Sequence, residues 1–238
     1  MTQHVLLNNV DHKDLRIITD RSAALGDAIM SCITFPAEFR DLQAYYPILF
    51  QKDPSSGAFQ AATLFGLQDG ENLFLSDTGW DAHYLPMVVE MQPFLIGVQQ
   101  RPGEEAQTVV HVDMSSARVS MTEGAPVFLP QGGSTEFLDH IAAILDRLHM
   151  SAMASAGFYE MVARYDLLEP LAVEIELADG SSSRLVGFYT VSEEKLYSLD
   201  AEALGALNAE GHLQPLFMAV ASLSNLRDLI ERKNRKLK

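Results

Sequence analysis

At Ser134 the hydrophobic period of this chain changes, and no other feature of its 238 residues restricts the fold as much. Ahead of that point, short apolar or β-branched runs are separated by turn formers. HVLLNNV, DLRIIT, AIMSCITF, YPILFQ, GAFQAATLFGL and LFLSD read as strands, with DPSSG and QDGEN turning between the last three. PFLIGVQQ and QTVVHVDM flank RPGEE as a further hairpin. Connections this short leave no room for crossover helices, so the strands are expected to pair antiparallel, as a meander or as hairpins.

Beyond Ser134 the period is helical. STEFLDHIAAILDRLHM puts Phe137, Leu138, Ile141, Ile144, Leu145 and Leu148 on one stripe, with Ser134 as the expected N-cap and Glu136 in the first turn. A second helical run is expected over 153–165, after the Ser-Ala-Gly patch. Pro170 then opens LAVEIEL, where Leu171, Val173, Ile175 and Leu177 alternate with Ala172, Glu174 and Glu176, and Asp179-Gly180 turns this strand into SRLVGFYTV. Ser192 and Asp200 are N-cap candidates for EEKLYSL and AEALGALNAE, and Gly211 stops the latter. A last helix is expected over 214–234, with Leu216, Ala219, Val220, Leu223, Leu226 and Ile230 on its inner side. The expected class is α+β: an N-terminal antiparallel meander or set of hairpins, then a helical C-terminal portion containing one further hairpin. No fixed-period repeat or low-complexity linker divides the chain, so one domain is expected over 1–238, with a soft boundary near Gly132-Gly133.

Charge and cysteine usage narrow the partners. The net charge is −15, but the last twelve residues, RDLIERKNRKLK, hold six basic and two acidic groups. The other 226 therefore carry 11 basic against 30 acidic groups, a net of −19 that repels nucleic acid and anionic membrane. The basic end reads as a solvated helix terminus, where positive side chains complement the helix dipole. The single cysteine, Cys32, sits in AIMSCITF and reads as a small buried hydrophobe, in keeping with a reducing compartment. The first twenty residues lack the basic start and apolar run of a secretory signal, and nowhere do eighteen apolar residues run uninterrupted. A soluble, cytoplasmic protein without a membrane span is the expectation.

DTGWDAHYLP (77–86) contains the only tryptophan. Asp77, Asp81 and His83 are residue types that hold metals or move protons. In an extended segment, however, Trp80, Ala82, Tyr84 and Pro86 share one face, while Asp81 and His83 point the other way. Large rings with polar tips suit packing beneath a loop or the wall of a pocket, which leaves Asp81 and His83 on the rim.

Trp80-x-Ala82-x-Tyr84-x-Pro86 followed by Pro93-Phe94 resembles the signature of the bacterial SapC family. YYPILF (45–50), LFGLQDGENLFL (64–75), VDMSSARVS (112–120), EGAPVF (123–128), GFYTVSEEKLYSLD (187–200) and SLSNLRDLIERK (222–233) resemble its further blocks, in order and over nearly the whole chain. The resemblance implies an association with surface-layer protein transport. It also implies a neighbourhood of TonB-dependent receptors, tryptophan-halogenase-like flavoproteins and cupin-like oxygenases. It brings no catalytic residue with it. The same name denotes a peptide-transporter permease, which needs membrane spans, and a sphingolipid activator, which needs several cysteines; this sequence has neither. Within these blocks, Trp80, Tyr84, Tyr45, Tyr46 and Arg118 are the ligand-binding candidates.

The main enzymatic alternative is His111-Val112-Asp113. A His-x-Asp pair on a strand projects both side chains from one face, and a distant histidine, His140, His149 or His212, would complete the facial triad of a non-haem iron, 2-oxoacid-dependent oxygenase. QGGST (131–135) precedes a helix without the lysine of a phosphate loop and reads as a helix-entry turn. Three functions follow: a non-catalytic binding or adaptor protein for a peptide, protein or small ligand; the oxygenase; and a subunit of a protein complex that docks through its final helix. For the first, no cofactor and no metal is expected, and a protein or peptide partner is.

Overall fold

The computed structural model describes residues 3–99 and 107–237. Along the chain run β1 (His4–Leu6), β2 (Arg16–Ile17), β3 (Ser31–Ile33), α1 (Phe39–Leu42), β4 (Ile48–Lys52), β5 (Phe59–Leu64), β6 (Leu75–Ser76), β7 (Gly79–Trp80) and α2 (Met87–Glu90). Next come β8 (Phe94–Gln99), β9 (Gln107–Asp113), β10 (Val119–Ser120), β11 (Ala125–Pro126), α3 (Glu136–Arg164), β12 (Leu168–Glu176) and β13 (Ser182–Val191). Helices α4 (Glu193–Tyr197), α5 (Ala201–Ala209), α6 (Leu213–Ser222) and α7 (Asn225–Lys236) close the described chain. The protein is α+β: its sheets are antiparallel, and its C-terminal portion is helical apart from the β12–β13 hairpin.

The chain divides into two compact units, Met1–Asp27 with Met87–Met150, and Ala28–Pro86 with Ser151–Lys238. In the first, β8 and β9 pair as a hairpin and β1 adds to β9 with His4 opposite Asp113; the RPGEE turn lies outside the described residues. A second small sheet has the order β10-β2-β11. Leu138, Ile141, Ile144, Leu145 and Leu148, the stripe expected of α3, are buried with Leu15, Ile17, Phe94 and Val112. The cap of α3 is Thr135 rather than Ser134: Thr135 Oγ1 accepts from the Leu138 amide at 3.3 Å, whereas the Ser134 hydroxyl turns to Asp139. Arg118 is buried here. Its Nη2 donates to both Asp27 carboxylate oxygens at 2.6 Å, and its Nη1 donates to the carbonyls of Ile18 and Asp20. Its Nε has no hydrogen-bond partner among the described residues.

The second unit is built on a five-stranded sheet of order β12-β13-β4-β5-β3. Along β12 the alternation written in LAVEIEL is kept, with Glu174 and Glu176 exposed and Ile175 and Leu177 buried. Gly180, at φ +80°, makes the hairpin turn, aided by Asp179 Oδ1, which accepts from the Ser181 amide and hydroxyl. Phe39, Phe50 and Phe158 meet edge-to-face or stacked in the core, with ring centroids 6.1 to 6.4 Å apart.

Two helical expectations differ from what is observed. The Ser-Ala-Gly patch does not break α3, because the stripe continues through buried Ser151, Ser155, Phe158 and Val162, and Ser155 Oγ donates to the Ser151 carbonyl. The last helix, in contrast, is two. Ser222 and Ser224 hydroxyls donate to the carbonyls of Ala219 and Ala221, and Asn225 Nδ2 donates to those of Gln43 and Tyr46, so local side-chain bonds compete with the helix at 223–224.

Candidate functional site

Four of the five residues singled out in the sequence meet in the second unit. Trp80 ends the short β6–β7 ladder opposite Leu75. Its ring stacks on Phe74 at 6.3 Å and 14°, and meets Phe65 edge-on at 5.0 Å. Trp80 Nε1 donates to Tyr46 Oη at 2.7 Å, and Tyr46 Oη donates in turn to the Tyr84 carbonyl at 2.5 Å. Tyr84 Oη donates to Glu38 Oε1, and Thr34 Oγ1 to Glu38 Oε2, both at 2.9 Å. Tyr46 and Glu38 are fully buried. Burial pushes the Tyr46 phenol well above its ordinary range, against the opposing pull of the Trp80 hydrogen bond. Burial likewise raises the Cys32 thiol, with the Glu38 carboxylate adding to the effect. Tyr45 lies on the outer side, against Tyr46 and His83. Arg118 is not part of this group; it belongs to the first unit.

Sequence reasoning missed two members of this lattice. Glu38 receives both hydroxyls. Arg232 lies over the Phe74 ring at 4.3 Å and donates to Asp81 Oδ2 at 2.7 Å and Asp228 Oδ2 at 2.8 Å. Lys233 donates to Glu71, and Lys236 to the carbonyls of Asn72 and Leu75. The basic end is therefore docked on the segment around the tryptophan, not solvated. The sequence reading favoured a solvated end, because the partners Glu71 and Asp81 lie far away in the sequence. The final helices likewise turn Leu216, Ala219 and Leu229 into this unit.

The His-x-Asp pair is in the first unit. Asp113 Oδ1 accepts from Ser115 Oγ at 2.6 Å, the Ser115 amide at 3.0 Å and the Gln3 amide at 3.1 Å. These bonds, the hydroxyl first, hold the carboxyl below its usual range. The histidine nearest the carboxylate is His4, with Nε2 4.0 Å from Asp113 Oδ2; His111 instead lies over Gly97, where an added Cβ would come within 2.8 Å of its ring. His140 pairs with Glu90 at 2.8 Å, and His212 belongs to the second unit. Among the described residues no three His, Cys, Asp or Glu side chains form a metal-holding group.

A different place in the second unit presents polar side chains that the fold leaves open. A cleft of about 510 Å³ is walled by α1 and the residues before it, by residues 151–158 of α3, and by the α5–α6 turn. Arg40, Ser151, Glu210, His212 and Gln214 line it, and among the described residues none of their side chains makes a hydrogen bond or ion pair. His212 is held by ring contact, edge-on to Phe158 at 5.7 Å, with Nε2 above Gly157. Apolar surface comes from Pro36, Phe158, Pro215 and Met218. No motif marks these residues in the sequence, since three distant segments supply them.

Among the described residues no helix is long and apolar enough to cross a membrane. No curated protein and no solved structure matches the chain. The SapC family model matches residues 7–229, which include the rings of the tryptophan lattice, the buried Arg118 segment and the cleft, and the chain belongs to the SapC family.

Proposed function

We propose that this SapC-family protein is a non-catalytic binding or adaptor protein, and that the cleft of the second unit is its ligand seat. The observation that carries this is the convergence of Arg40, Ser151, Glu210, His212 and Gln214, none with a side-chain hydrogen bond or ion pair among the described residues, around a concavity of about 510 Å³. Ligand sites are concave, of a few hundred to about a thousand Å³, largely apolar, and fitted with a few polar groups that fix orientation. A set of open polar groups converging on one concavity is a place where an external group fits. The oxygenase alternative lacks comparable support: Asp113 is tied to Ser115 and Gln3, and among the described residues no three His, Cys, Asp or Glu side chains form a metal-holding group. With the family's association, the proposal extends to recognition of a peptide, protein or small ligand in an envelope-transport or TonB-dependent uptake system.

A thermal-shift screen of peptides and small polar compounds tests it, run in parallel on the parent and on Ala154→Trp. Ala154 is exposed on the α3 wall, so an indole there fills the cleft without disturbing the core. A compound that binds only the folded state raises the melting temperature by mass action. The expected result is a hit that stabilises the parent and not Ala154→Trp. A hit that stabilises both equally binds elsewhere and removes the cleft from the proposal.

A further inference from the structure

We infer that the cleft takes a zwitterion, a free amino acid or a short peptide with both ends charged. This rests on the cleft being the ligand seat and adds the class of molecule that fits it.

The two full charges of the cleft are opposite in sign and come from different walls, Arg40 from α1 and Glu210 from the C-terminal end of α5. They do not pair with each other, and neither pairs with another described residue. Arg232 in the same unit is held by Asp81 and Asp228, Lys233 by Glu71, and Lys195 by Asp166, whereas this cleft brings a cation and an anion, both without an ion-pair partner among the described residues, to one concavity. A guanidinium presents a planar fork of donors that matches a carboxylate. Glu210 caps a nine-residue helix at the end where the exposed carbonyls already carry partial negative charge, so its carboxylate is poorly placed for the helix alone. An ammonium group there is attracted by the carboxylate and by the helix end together.

The combination excludes simpler ligands. A phosphate or dicarboxylate drawn to Arg40 meets Glu210 and a protein of net charge −15. A polyamine drawn to Glu210 meets Arg40. Only a molecule with both charges satisfies both walls, and the repulsions supply the selectivity. Between them, Ser151, His212 and Gln214 offer hydrogen-bonding groups for a backbone amide, and Met218 and Pro215 offer apolar surface to a side chain.

The experiment is calorimetric titration of the full chain with the common amino acids and a set of dipeptides, each also N-acetylated or C-amidated. Binding of a free compound is expected, weakened at least tenfold by capping either end. In Arg40→Ala the penalty for amidation should vanish while that for acetylation persists, and Glu210→Gln should show the reverse. Both residues are exposed, so circular dichroism of the variants should match the parent. Capped and free compounds binding equally, with loss in Ala154→Trp, would overturn the zwitterion and leave the cleft as a site for a neutral ligand. Binding unaffected by Ala154→Trp would overturn both. No binding by any member of the panel overturns the zwitterion, while the wider screen still decides on the cleft.

Discussion

The tryptophan lattice and the cleft lie in one unit and draw on the same side-chain types, yet they differ in where their polar atoms go. Around Trp80 every polar tip that is buried has a partner: indole to phenol, phenol to carbonyl, two hydroxyls to one carboxylate. Around His212 the polar tips face a cleft, with no partner among the described residues. A satisfied network in low dielectric rigidifies a core, whereas groups left open at a concave surface have desolvation still to be compensated by something that binds. On the proposed reading, the segment most conspicuous in the sequence serves as scaffold, and the inconspicuous one is the ligand seat.

The sharpest way to break that contrast is Trp80→Ala. The substitution removes a half-buried ring packed on Phe65 and Phe74, and deletes the donor to Tyr46. It should cost about 3–5 kcal/mol in a denaturant melt, a large part of a typical domain's stability. A variant as stable as its parent would mean that the rings are ornamental to the fold, and that Trp80 and Tyr84 deserve a place in a binding site after all.

What the sequence disclosed follows the same division. Periodicity marked nearly every long strand and the α3 stripe, because burial of one face writes itself into neighbouring residues. It identified the hairpins β4–β5, β8–β9 and β12–β13, but not the pairing of β1 with β9, since a strand's pattern says which face is buried and not which strand lies beside it. The rings at 45, 46, 80 and 84 were legible as a group through the family blocks. Arg118 came with them by the same route, although its partner Asp27 and its unit are different. Glu38, Arg232 and the cleft residues were not legible as members of a site, for the segments brought together around each are far apart in the sequence.

A second, smaller effect is expected at the C-terminus. Ending the chain after Glu231 removes Arg232 from Phe74 and Asp81, Lys233 from Glu71, and Lys236 from two carbonyls. Exposed pairs contribute little, but the Lys233 and Glu71 side chains are each only 14% exposed, and a guanidinium over a ring adds its own attraction. A loss of about 1–2 kcal/mol is expected, or about 2–8 °C in melting temperature for a chain of this size. An unchanged melting temperature would return the basic end to the status of a solvated terminus, and would confine the lattice to the rings themselves.

The smallest effect should come from the cleft floor, and its sign matters more than its size. Gly157 lies inside α3, where glycine is less favourable than alanine by up to about 1 kcal/mol. A Cβ built there meets His212 Nε2 at 3.4 Å and Cε1 at 3.9 Å, ordinary contact distances that require no displacement of the backbone. Gly157→Ala should therefore leave stability unchanged or raise it by up to about 1 kcal/mol, while its methyl packs against the His212 ring nitrogen. A denaturant melt reads the first effect, and the His212 ring resonances, shifted by the new methyl, read the second. If the variant instead loses more than about 1 kcal/mol, the imidazole is locked against the helix as firmly as Trp80 is against Phe74. The cleft floor would then be a second scaffold, packed for stability like the first, and the difference between the two regions would disappear.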